Sequence, residues 1–301
     1  MNLVEQFNHD INLSDHLRYE KWSNYRKQIT LFFKPYFKEN NSNHSLLILG
    51  AGNCDDLDIS FFKSSFKSLT LADIDIESTK KGLMKQHIPI EEVTLVKADF
   101  TGHEKVAYFD HFIDELSVLS STSEIKKYLK QKNQLITDYI FMADNIKLFD
   151  TIIISPIYTQ LIYNQILNAV LVLKEMGVEQ SLLDEISSEA LQDMITIIDR
   201  FNQNVIRLLK PKGLVFVLSD IFQSRVNEPF YQDIIKSIDS TTKMDHLYEK
   251  YVDAYGYGLG DYGIYSMHQH FQNEMHSWLL WPFEDSLHLC VKIVSFQNPK
   301  I

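Results

Sequence analysis

Short apolar segments alternate with amphipathic stretches along most of the chain. The apolar segments are runs of four or five residues without charged side chains, and they lie at 46–49, 68–72, 93–96, 151–154 and 214–218. Such runs are typical of strands that are buried on both faces of a sheet. Helical periodicity lies between them, at 77–86, 109–119, 123–139, 158–173 and 187–208. Strands that alternate with helices predict a parallel sheet with helices on both faces.

The last part of the chain departs from this alternation. Two strands are predicted at Ser277–Trp281 and Leu287–Phe296, and the short connection between them suits an antiparallel hairpin. We therefore predict an α/β fold, a doubly wound and mostly parallel seven-stranded sheet with a C-terminal antiparallel hairpin and helices on both faces. One domain over 1–301 is expected, with 1–40 as a helical N-terminal cover and 222–276 as an insertion that forms a substrate-side lid.

The N-terminal cover is predicted from one apolar stripe at helical spacing. Its members are Leu17, Trp22, Tyr25, Ile29, Phe32 and Phe33. The stripe favours a helix that packs on the main domain. It leaves open whether Trp22, Tyr25 and Arg26 close over a ligand.

A glycine turn follows the first predicted strand directly. Gly50 and Gly52 come after Leu46–Leu49, and glycine lets the backbone turn tightly and approach a ligand without a Cβ in the way. Ligands of doubly wound sheets bind outside the carboxyl ends of the strands. Asp73 and Asp99 end the next two strands, so both carboxylates are expected near the turn. Asp73 lies 23 positions after Gly50, which suits hydrogen bonds with ribose hydroxyls.

The residues around the turn bear on the kind of ligand. A dinucleotide loop needs a third glycine to pack around a pyrophosphate, and Asp55 stands at that position. Asp55, Asp56 and Asp58 put carboxylates where an amino group or a sulfonium fits better than a pyrophosphate. Phe100 follows Asp99, which pairs a carboxylate for an exocyclic amine with an aromatic neighbour for a purine face.

On these residues the chain resembles class I S-adenosylmethionine-dependent methyltransferases. Five segments match the family's glycine motif, acidic second strand, adenine-contacting turn, fourth strand and turn before the fifth strand. They are Leu47–Gly52, Leu71–Asp75, Val96–Phe100, Asp150–Ser155 and Leu208–Gly213. The resemblance covers residues 45–220 and 277–296. It implies a Rossmann-like fold and S-adenosyl-L-methionine as the cofactor.

The resemblance also implies which residues bind the cofactor. They are Gly50, Ala51, Gly52, Asn53, Asp73, Ile74, Asp99, Phe100 and Ser155. The glycines would line the methionyl and ribose side, and Asp73 would hold the ribose hydroxyls. Ile74 would pack on the adenine, and Asp99 would face the adenine amine.

Two positions depart from the family pattern. Ile48 stands where many members carry an acidic residue, and Cys54 stands at the family's third glycine. Both departures concern the methionine end of the cofactor. The sequence leaves open whether Asp55, Asp56 or Arg26 holds that end instead.

The acceptor side is less well defined by the sequence. Tyr158, His268 and His270 are the candidate catalytic residues. Ser155-Pro156-Ile157-Tyr158 lacks the amide and the second proline of the Asn/Asp-Pro-Pro-Tyr pattern found in amino- or base-methylating enzymes. The histidines fit an ordinary polar insertion as well as a base. The His268-x-His270 pair lacks the further ligands of a metal site, so no metal is expected.

Methyl transfer from a sulfonium is an in-line displacement in which the protein mainly supplies alignment and desolvation. The resemblance therefore implies S-adenosylmethionine-dependent methyl transfer to an unidentified small-molecule or peptide acceptor. Two alternatives stay open, a catalytically silent methyltransferase-like binding module and an NAD-dependent oxidoreductase. Asp55 and the closing hairpin count against the oxidoreductase.

Composition narrows the expected partners and compartment. A net charge of −11 over 301 residues disfavours a nucleic-acid partner, because phosphate binding needs clustered Lys and Arg. Cys54 and Cys290 are far apart and predict neither a disulfide framework nor a thiolate zinc site. The first residues lack a signal-peptide pattern, and no run of about 18 uncharged apolar residues predicts a membrane span. We expect a cytoplasmic protein without a membrane partner, and the sequence does not indicate its oligomeric state.

Overall fold

The computed structural model describes residues 3–13, 17–37 and 43–298, and its centre is one seven-stranded sheet. Strands β1 to β7 span Ser45–Leu49, Ser68–Asp73, Thr94–Lys97, Phe149–Ile154, Leu209–Arg225, Gln272–Trp281 and Leu287–Gln297. Their order across the sheet is β3-β2-β1-β4-β5-β7-β6. The parts of the predicted cover and domain that fall in the gaps lie outside the described residues.

The direction of the strands follows the predicted pattern. β1 to β5 pair in parallel, whereas β7 is antiparallel to both β5 and β6. The two final strands therefore form the predicted antiparallel hairpin at one edge of the sheet. This confirms the predicted fold class, a doubly wound and mostly parallel seven-stranded sheet.

Helices cover both faces of this sheet over the described part of the chain. In chain order α1 to α12 span Leu3–Leu13, Arg18–Lys21, Ser23–Phe33, Ile59–Ser65, Ile76–Lys85, Phe112–Ser117, Thr122–Gln134, Tyr163–Glu175, Gln180–Leu208, Pro229–Ser237, Thr241–Tyr255 and Leu259–His268. Successive side chains of β1 point to opposite faces, so Leu47 and Leu49 join one apolar core and Leu46 and Ile48 join the other. Burial on both faces explains the continuous apolar run that marks this strand in the sequence.

β5 is much longer than its predicted core of 214–218. The predicted turn at Lys210–Gly213 is an irregularity inside the strand, where Lys212 has a φ of +63°. Beyond its pairing with β4, the strand continues along β7 to Arg225. A second irregularity lies between Asp220 and Phe222 in this extension. Bulges of this kind bend a strand and change the direction of its side chains, which is common beside active sites.

The described residues of the N-terminal cover form helices α1 to α3. Its apolar stripe is buried at Trp22, Tyr25, Ile29 and Phe33. α3 packs on the hairpin edge of the sheet, where the Tyr25 ring stacks on Trp281 with the ring centroids 5.0 Å apart. The stripe therefore forms part of the core, as the pattern favoured.

α1 is attached above the carboxyl ends of β1 and β2. The Asp75 carboxylate accepts a hydrogen bond from Asn12 Nδ2 at 3.0 Å and lies 3.0 Å from His9 Nδ1. Asn53 Nδ2 donates to the carbonyl oxygen of Asn12 at 3.0 Å. The cover is thus joined by hydrogen bonds both to the start of α5 and to the glycine turn.

The predicted insertion at 222–276 contains α10, α11 and α12. α12 begins directly beside the second irregularity of β5. A Cβ added to Gly260 would lie 2.4 Å from the carbonyl oxygen of Asp220, so the helix can approach the strand this closely only with glycine there. The contact brings Leu259 to the carboxyl edge of the sheet.

Candidate functional site

A cavity of about 510 Å³ lies at the carboxyl ends of the strands. All predicted cofactor-binding residues line it, namely Gly50, Ala51, Gly52, Asn53, Asp73, Ile74, Asp99, Phe100 and Ser155. They follow β1, β2, β3 and β4, which are neighbours in the sheet. The structure thus brings these residues to one place, and their roles toward a cofactor stay predictions.

The backbone conformation of the turn and the atoms around it favour glycine. Gly50 has a φ of +75°, and a Cβ there would lie 2.2 Å from Ile157 Cγ2. Gly52 has a φ of +50°. Cys54 is buried and also has a positive φ, +57°, at the position where related turns carry a third glycine. The turn therefore keeps the left-handed conformation at this position despite a side chain, which adds backbone strain.

Asp73 fixes the glycine turn from the end of β2. Its Oδ2 accepts a hydrogen bond from the Gly52 amide at 2.8 Å, and its Oδ1 accepts one from the Asp75 amide at 2.9 Å. Burial raises the pKa of Asp73, while these amides act in the opposite direction. Each carboxylate oxygen has a second lone pair, so the group can still accept hydrogen bonds from a ligand.

The Asp99 carboxylate makes hydrogen bonds within the protein, to the loop that follows β3. Its carboxylate accepts hydrogen bonds from four backbone amides of the loop that follows β3 and from the Thr101 hydroxyl, at 2.8–3.2 Å. A carboxylate offers about four lone-pair positions, so these bonds occupy its acceptor capacity. The expected contact between Asp99 and an adenine amine stays a prediction, and these internal hydrogen bonds compete with it. Asp99 shapes the cavity by ordering the loop at 101–105.

Two of the three candidates for the methionine end are occupied within the protein. Asp55 is buried, and its Oδ1 accepts a hydrogen bond from Lys85 Nζ at 2.5 Å. Arg26 Nη1 donates to the carbonyl oxygens of Tyr19 and Asp55. Asp55 and Arg26 do not line the cavity, and we assign them to holding the turn in place.

Asp56 and Arg18 bring opposite charges to the same cavity. Burial raises the pKa of Asp56 to about 7, and the neighbouring carboxylates of Asp55 and Asp73 add to the shift while Arg26 opposes it. The Arg18 guanidinium lies over the rings of Trp22 and Phe283, 5.3 and 5.7 Å from their centroids. The cavity can therefore meet a cationic and an anionic group of one ligand.

The raised pKa of Asp56 predicts a stability change in the ligand-free protein. The folded protein binds this proton more tightly than the unfolded chain, so stability is lost as the pH rises from about 4 to about 7. Asp56→Asn removes the titration. We expect a higher Tm than the parent at pH 8, by about 3 °C or more, and a gain that shrinks toward pH 4. A gain that is equal at both pH values in thermal unfolding would contradict this origin.

The three candidate catalytic residues do not line the cavity. Tyr158 is fully buried and its hydroxyl donates to Asn202 Oδ1 at 2.8 Å, because the side chain points into the apolar core beneath the strand ends. His268 and His270 lie at the C-terminal end of α12 and are exposed to solvent. His268 packs on the Phe296 ring. The structure therefore does not bring these three candidates to the cavity, and nothing in it supports a catalytic role for them there.

A second wall of the cavity was predicted only in part, because the sequence left open whether Trp22 closes over a ligand and placed a substrate-side lid at 222–276. It is formed by Arg18, Trp22, Thr159, Gln160, Asp220, Gln223, Leu259, Trp281, Phe283, Leu287 and Leu289. One sequence signal could have found Asp220, since it follows the predicted fifth strand by two residues, much as Asp73 follows the second. Trp281 and Phe283 had no local signal, because their position depends on how the final hairpin folds beside the strand ends.

Several buried polar atoms at this cavity have no partner among the described residues. They are Ser155 Oγ, Trp22 Nε1 and Trp281 Nε1, and all three residues line the cavity. Buried polar groups are paired in most proteins, so unpaired groups around one cavity indicate contacts that a ligand completes.

Two further observations concern the rest of the described chain. Its His, Cys, Asp and Glu side chains form no group of three that could hold a metal ion. None of its helices has the length and apolar character that a membrane crossing needs.

Comparisons with known proteins find similarity in fold. No family model and no curated protein matches the chain. Similar solved structures include the N-methyltransferase NodS from Bradyrhizobium japonicum WM9 with S-adenosyl-L-homocysteine, at 10% identity and a TM-score of 0.39 over 92% of this chain and 88% of that chain. A SAM-dependent methyltransferase from Methanosarcina mazei has 8% identity and a TM-score of 0.41, covering 89% and 98%. The fibrillarin/Nop5p complex has 12% identity and a TM-score of 0.40, covering 92% and 83%.

At these identities and TM-scores the likeness is to the fold alone. The ligand and the reaction therefore depend on the residues that line this chain's own cavity.

Proposed function

We propose that the protein binds S-adenosyl-L-methionine in this cavity and transfers its methyl group to a second substrate. One observation carries the proposal. The glycine turn, the ribose-side carboxylate of Asp73 and the apolar side chain of Ile74 line the same cavity as an acid and a guanidinium. An adenosyl group joined to an amino acid needs this combination of contacts in one place.

The adenosine part would be held at the ends of β1, β2 and β3. Asp73 has acceptor capacity left for the ribose hydroxyls, and Ile74 and Phe100 offer apolar surfaces for a purine. The absence of a Cβ at Gly50 leaves the turn close to Ile157, so the backbone forms the floor of the cavity. The residues present thus fit an adenosyl ligand.

The amino acid part would be held by Asp56 and Arg18. The carboxyl of Asp56 pairs with an ammonium, and the guanidinium of Arg18 pairs with a carboxylate. These two residues replace the acidic residue and the third glycine of the family pattern, whose positions carry Ile48 and Cys54 here. The unpaired hydroxyl of Ser155 offers one more polar contact at the end of β4.

The bound cofactor would supply a methyl group that is already activated by its sulfonium. The protein's residues would then orient that group and exclude water, and they would hold the acceptor on the side of β4 and β5. The second wall of the cavity, with Asp220 and Trp281, is the surface available for the acceptor.

The two alternatives make different predictions from methyl transfer. The Asp56 carboxylate at the glycine turn would repel the pyrophosphate of NAD. A silent binding module would hold the cofactor without turning it over.

Isothermal titration calorimetry with a panel of ligands tests the proposal. We expect saturable one-to-one binding of S-adenosyl-L-homocysteine and S-adenosyl-L-methionine, and no heat with NAD. Incubation with methyl-labelled S-adenosyl-L-methionine and cell extract then separates an enzyme from a silent module. Binding of NAD in preference to S-adenosyl-L-homocysteine would refute the proposal, and binding without label transfer would favour the module.

A further inference from the structure

We propose that the acceptor is a small cationic amine, which the Asp220 carboxylate binds and deprotonates before methyl transfer. This inference rests on the proposed function and names the substrate class of the same cavity. It depends on the position of Asp220, on the balance of charge around the cavity, and on aromatic residues that line the same wall.

Asp220 is directed into the cavity by the shape of β5. It lies where the strand has passed its pairing with β4, at the irregularity between Asp220 and Phe222. Thr159 Oγ1 lies 2.9 and 3.2 Å from the two carboxylate oxygens, so its hydroxyl fixes the orientation of the group. Thr159 and Asp220 both line the cavity, from the loop after β4 and from β5.

The charge around the cavity favours a cation. Among the described lining residues, the carboxylates belong to Asp56, Asp73, Asp99 and Asp220, whereas Arg18 is the only Lys or Arg. The Asp99 carboxylate accepts hydrogen bonds from backbone amides. Asp56 and Arg18 are proposed to bind the ammonium and the carboxylate of the cofactor's amino acid part. Among the described residues, Thr159 and no Lys or Arg side chain pairs with the Asp220 carboxylate. A buried carboxylate without a paired cation is costly, and an ammonium ligand would offset that cost.

Aromatic side chains lie in the same wall as Asp220. Trp281 is 5% exposed and lines the cavity, and its Nε1 has no acceptor among the described residues. Phe283 packs edge-on against the Trp281 ring at 5.1 Å between centroids. An organic amine bound by Asp220 would also meet the aromatic residues of this wall. Aromatic faces also attract ammonium groups.

The chemistry also favours an amine over an alcohol or a carboxylic acid. Burial raises the pKa of Asp220 to about 6 against the effect of the Thr159 hydrogen bond, which makes it a stronger base than an ordinary aspartate. An ammonium would give one proton to Asp220. The nitrogen lone pair would then form a bond to the methyl carbon while the carbon–sulfur bond breaks and its electron pair stays on sulfur. The products are the methylated ammonium and a thioether, and the proton passes from Asp220 to solvent.

Labelled methyl transfer to matched acceptors tests this inference. The probes are a panel of small primary and secondary amines, each compared with its alcohol and carboxylate analogue, such as 2-amino-1-phenylethanol, 1-phenyl-1,2-ethanediol and mandelate. We expect transfer to amines alone. Quenching of tryptophan fluorescence by the same probes, in the presence of S-adenosyl-L-homocysteine, measures binding in the unaltered protein. Preferential transfer to an alcohol or a carboxylate would overturn the inference.

Variants then test the role of Asp220. Asp220→Asn should lower kcat/KM for the best amine about 100-fold and leave the affinity for S-adenosyl-L-homocysteine within threefold of the parent. Asp193→Asn is the matched control, because Asp193 also has a pKa raised to about 6 by burial but lines a separate groove. It should leave transfer unchanged. Full activity of Asp220→Asn would also overturn the inference.

Failure of the inference and failure of the proposed function are distinguishable. If S-adenosyl-L-homocysteine does not bind, the proposed function fails and the inference fails with it. If it binds but no amine is bound or methylated, only the amine inference fails.

Discussion

Asp73→Ala is expected to lower the affinity for S-adenosyl-L-homocysteine by about 100-fold or more. Hydrogen bonds with a charged group contribute about 1.5–3 kcal/mol each, and the variant removes the acceptor that we propose for both ribose hydroxyls. It also removes the acceptor of the Gly52 and Asp75 amides, which loosens the glycine turn. Calorimetry gives the affinity, and thermal unfolding shows how much of the loss comes from the fold.

Asp150→Ala is the control for this variant. The Asp150 carboxylate also accepts hydrogen bonds from a backbone amide and a cation, Ser45 and Lys210, each at 2.8 Å. These contacts lie at the amino end of β1, whereas the cavity lies at the carboxyl end. Asp150→Ala should cost stability and leave the affinity close to that of the parent. If Asp73→Ala bound the ligand as well as Asp150→Ala does, Asp73 would not belong to the site.

Gly50→Ala is expected to lower both the free energy of unfolding and the affinity for S-adenosyl-L-homocysteine. A residue with a side chain costs roughly 1–2 kcal/mol in the left-handed conformation, and a Cβ at 2.2 Å from Ile157 Cγ2 adds about 1–3 kcal/mol of overpacking. Ile157 also lines the cavity, so relief of the clash changes the site. We expect a free energy of unfolding lower by roughly 2–5 kcal/mol, measured by denaturant titration, together with weaker binding of S-adenosyl-L-homocysteine.

Gly177→Ala separates the cost of the left-handed conformation from the cost of the contact with Ile157. Gly177 has a φ of +86°, and a Cβ there would meet no atom within 4 Å. This variant therefore carries the conformational cost alone, about 1–2 kcal/mol, and should bind the ligand normally. Equal losses in Gly50→Ala and Gly177→Ala would show that the contact with Ile157 does not restrict the turn.

The sequence predicted the side of the site that depends on strand ends. Gly50, Asp73 and Asp99 each follow an apolar run, and parallel strands bring their carboxyl ends to one edge of a sheet. This rule needs no knowledge of side-chain contacts. It placed Asp99 correctly at the cavity, but it could not show that the loop at 101–105 would occupy its carboxylate.

The rest of the site depends on features that local patterns do not contain. Tyr158 follows a strand end and yet points into the core. Its hydroxyl donates a hydrogen bond to Asn202 on α9 there. Asp220 reaches the cavity through an irregularity in a strand that extends well beyond its apolar run. Trp281 does so through the position of the final hairpin. Side-chain direction at such places follows from tertiary packing, which periodicity cannot predict.

A crystal structure with S-adenosyl-L-homocysteine tests the central claim most directly. We expect the ligand in the cavity at the carboxyl ends of β1 to β4, with its ribose hydroxyls on Asp73 and its ammonium at Asp56. The space between its sulfur and Asp220 should remain open for the acceptor. A ligand bound elsewhere, or bound here without contact to Asp73, would contradict the account.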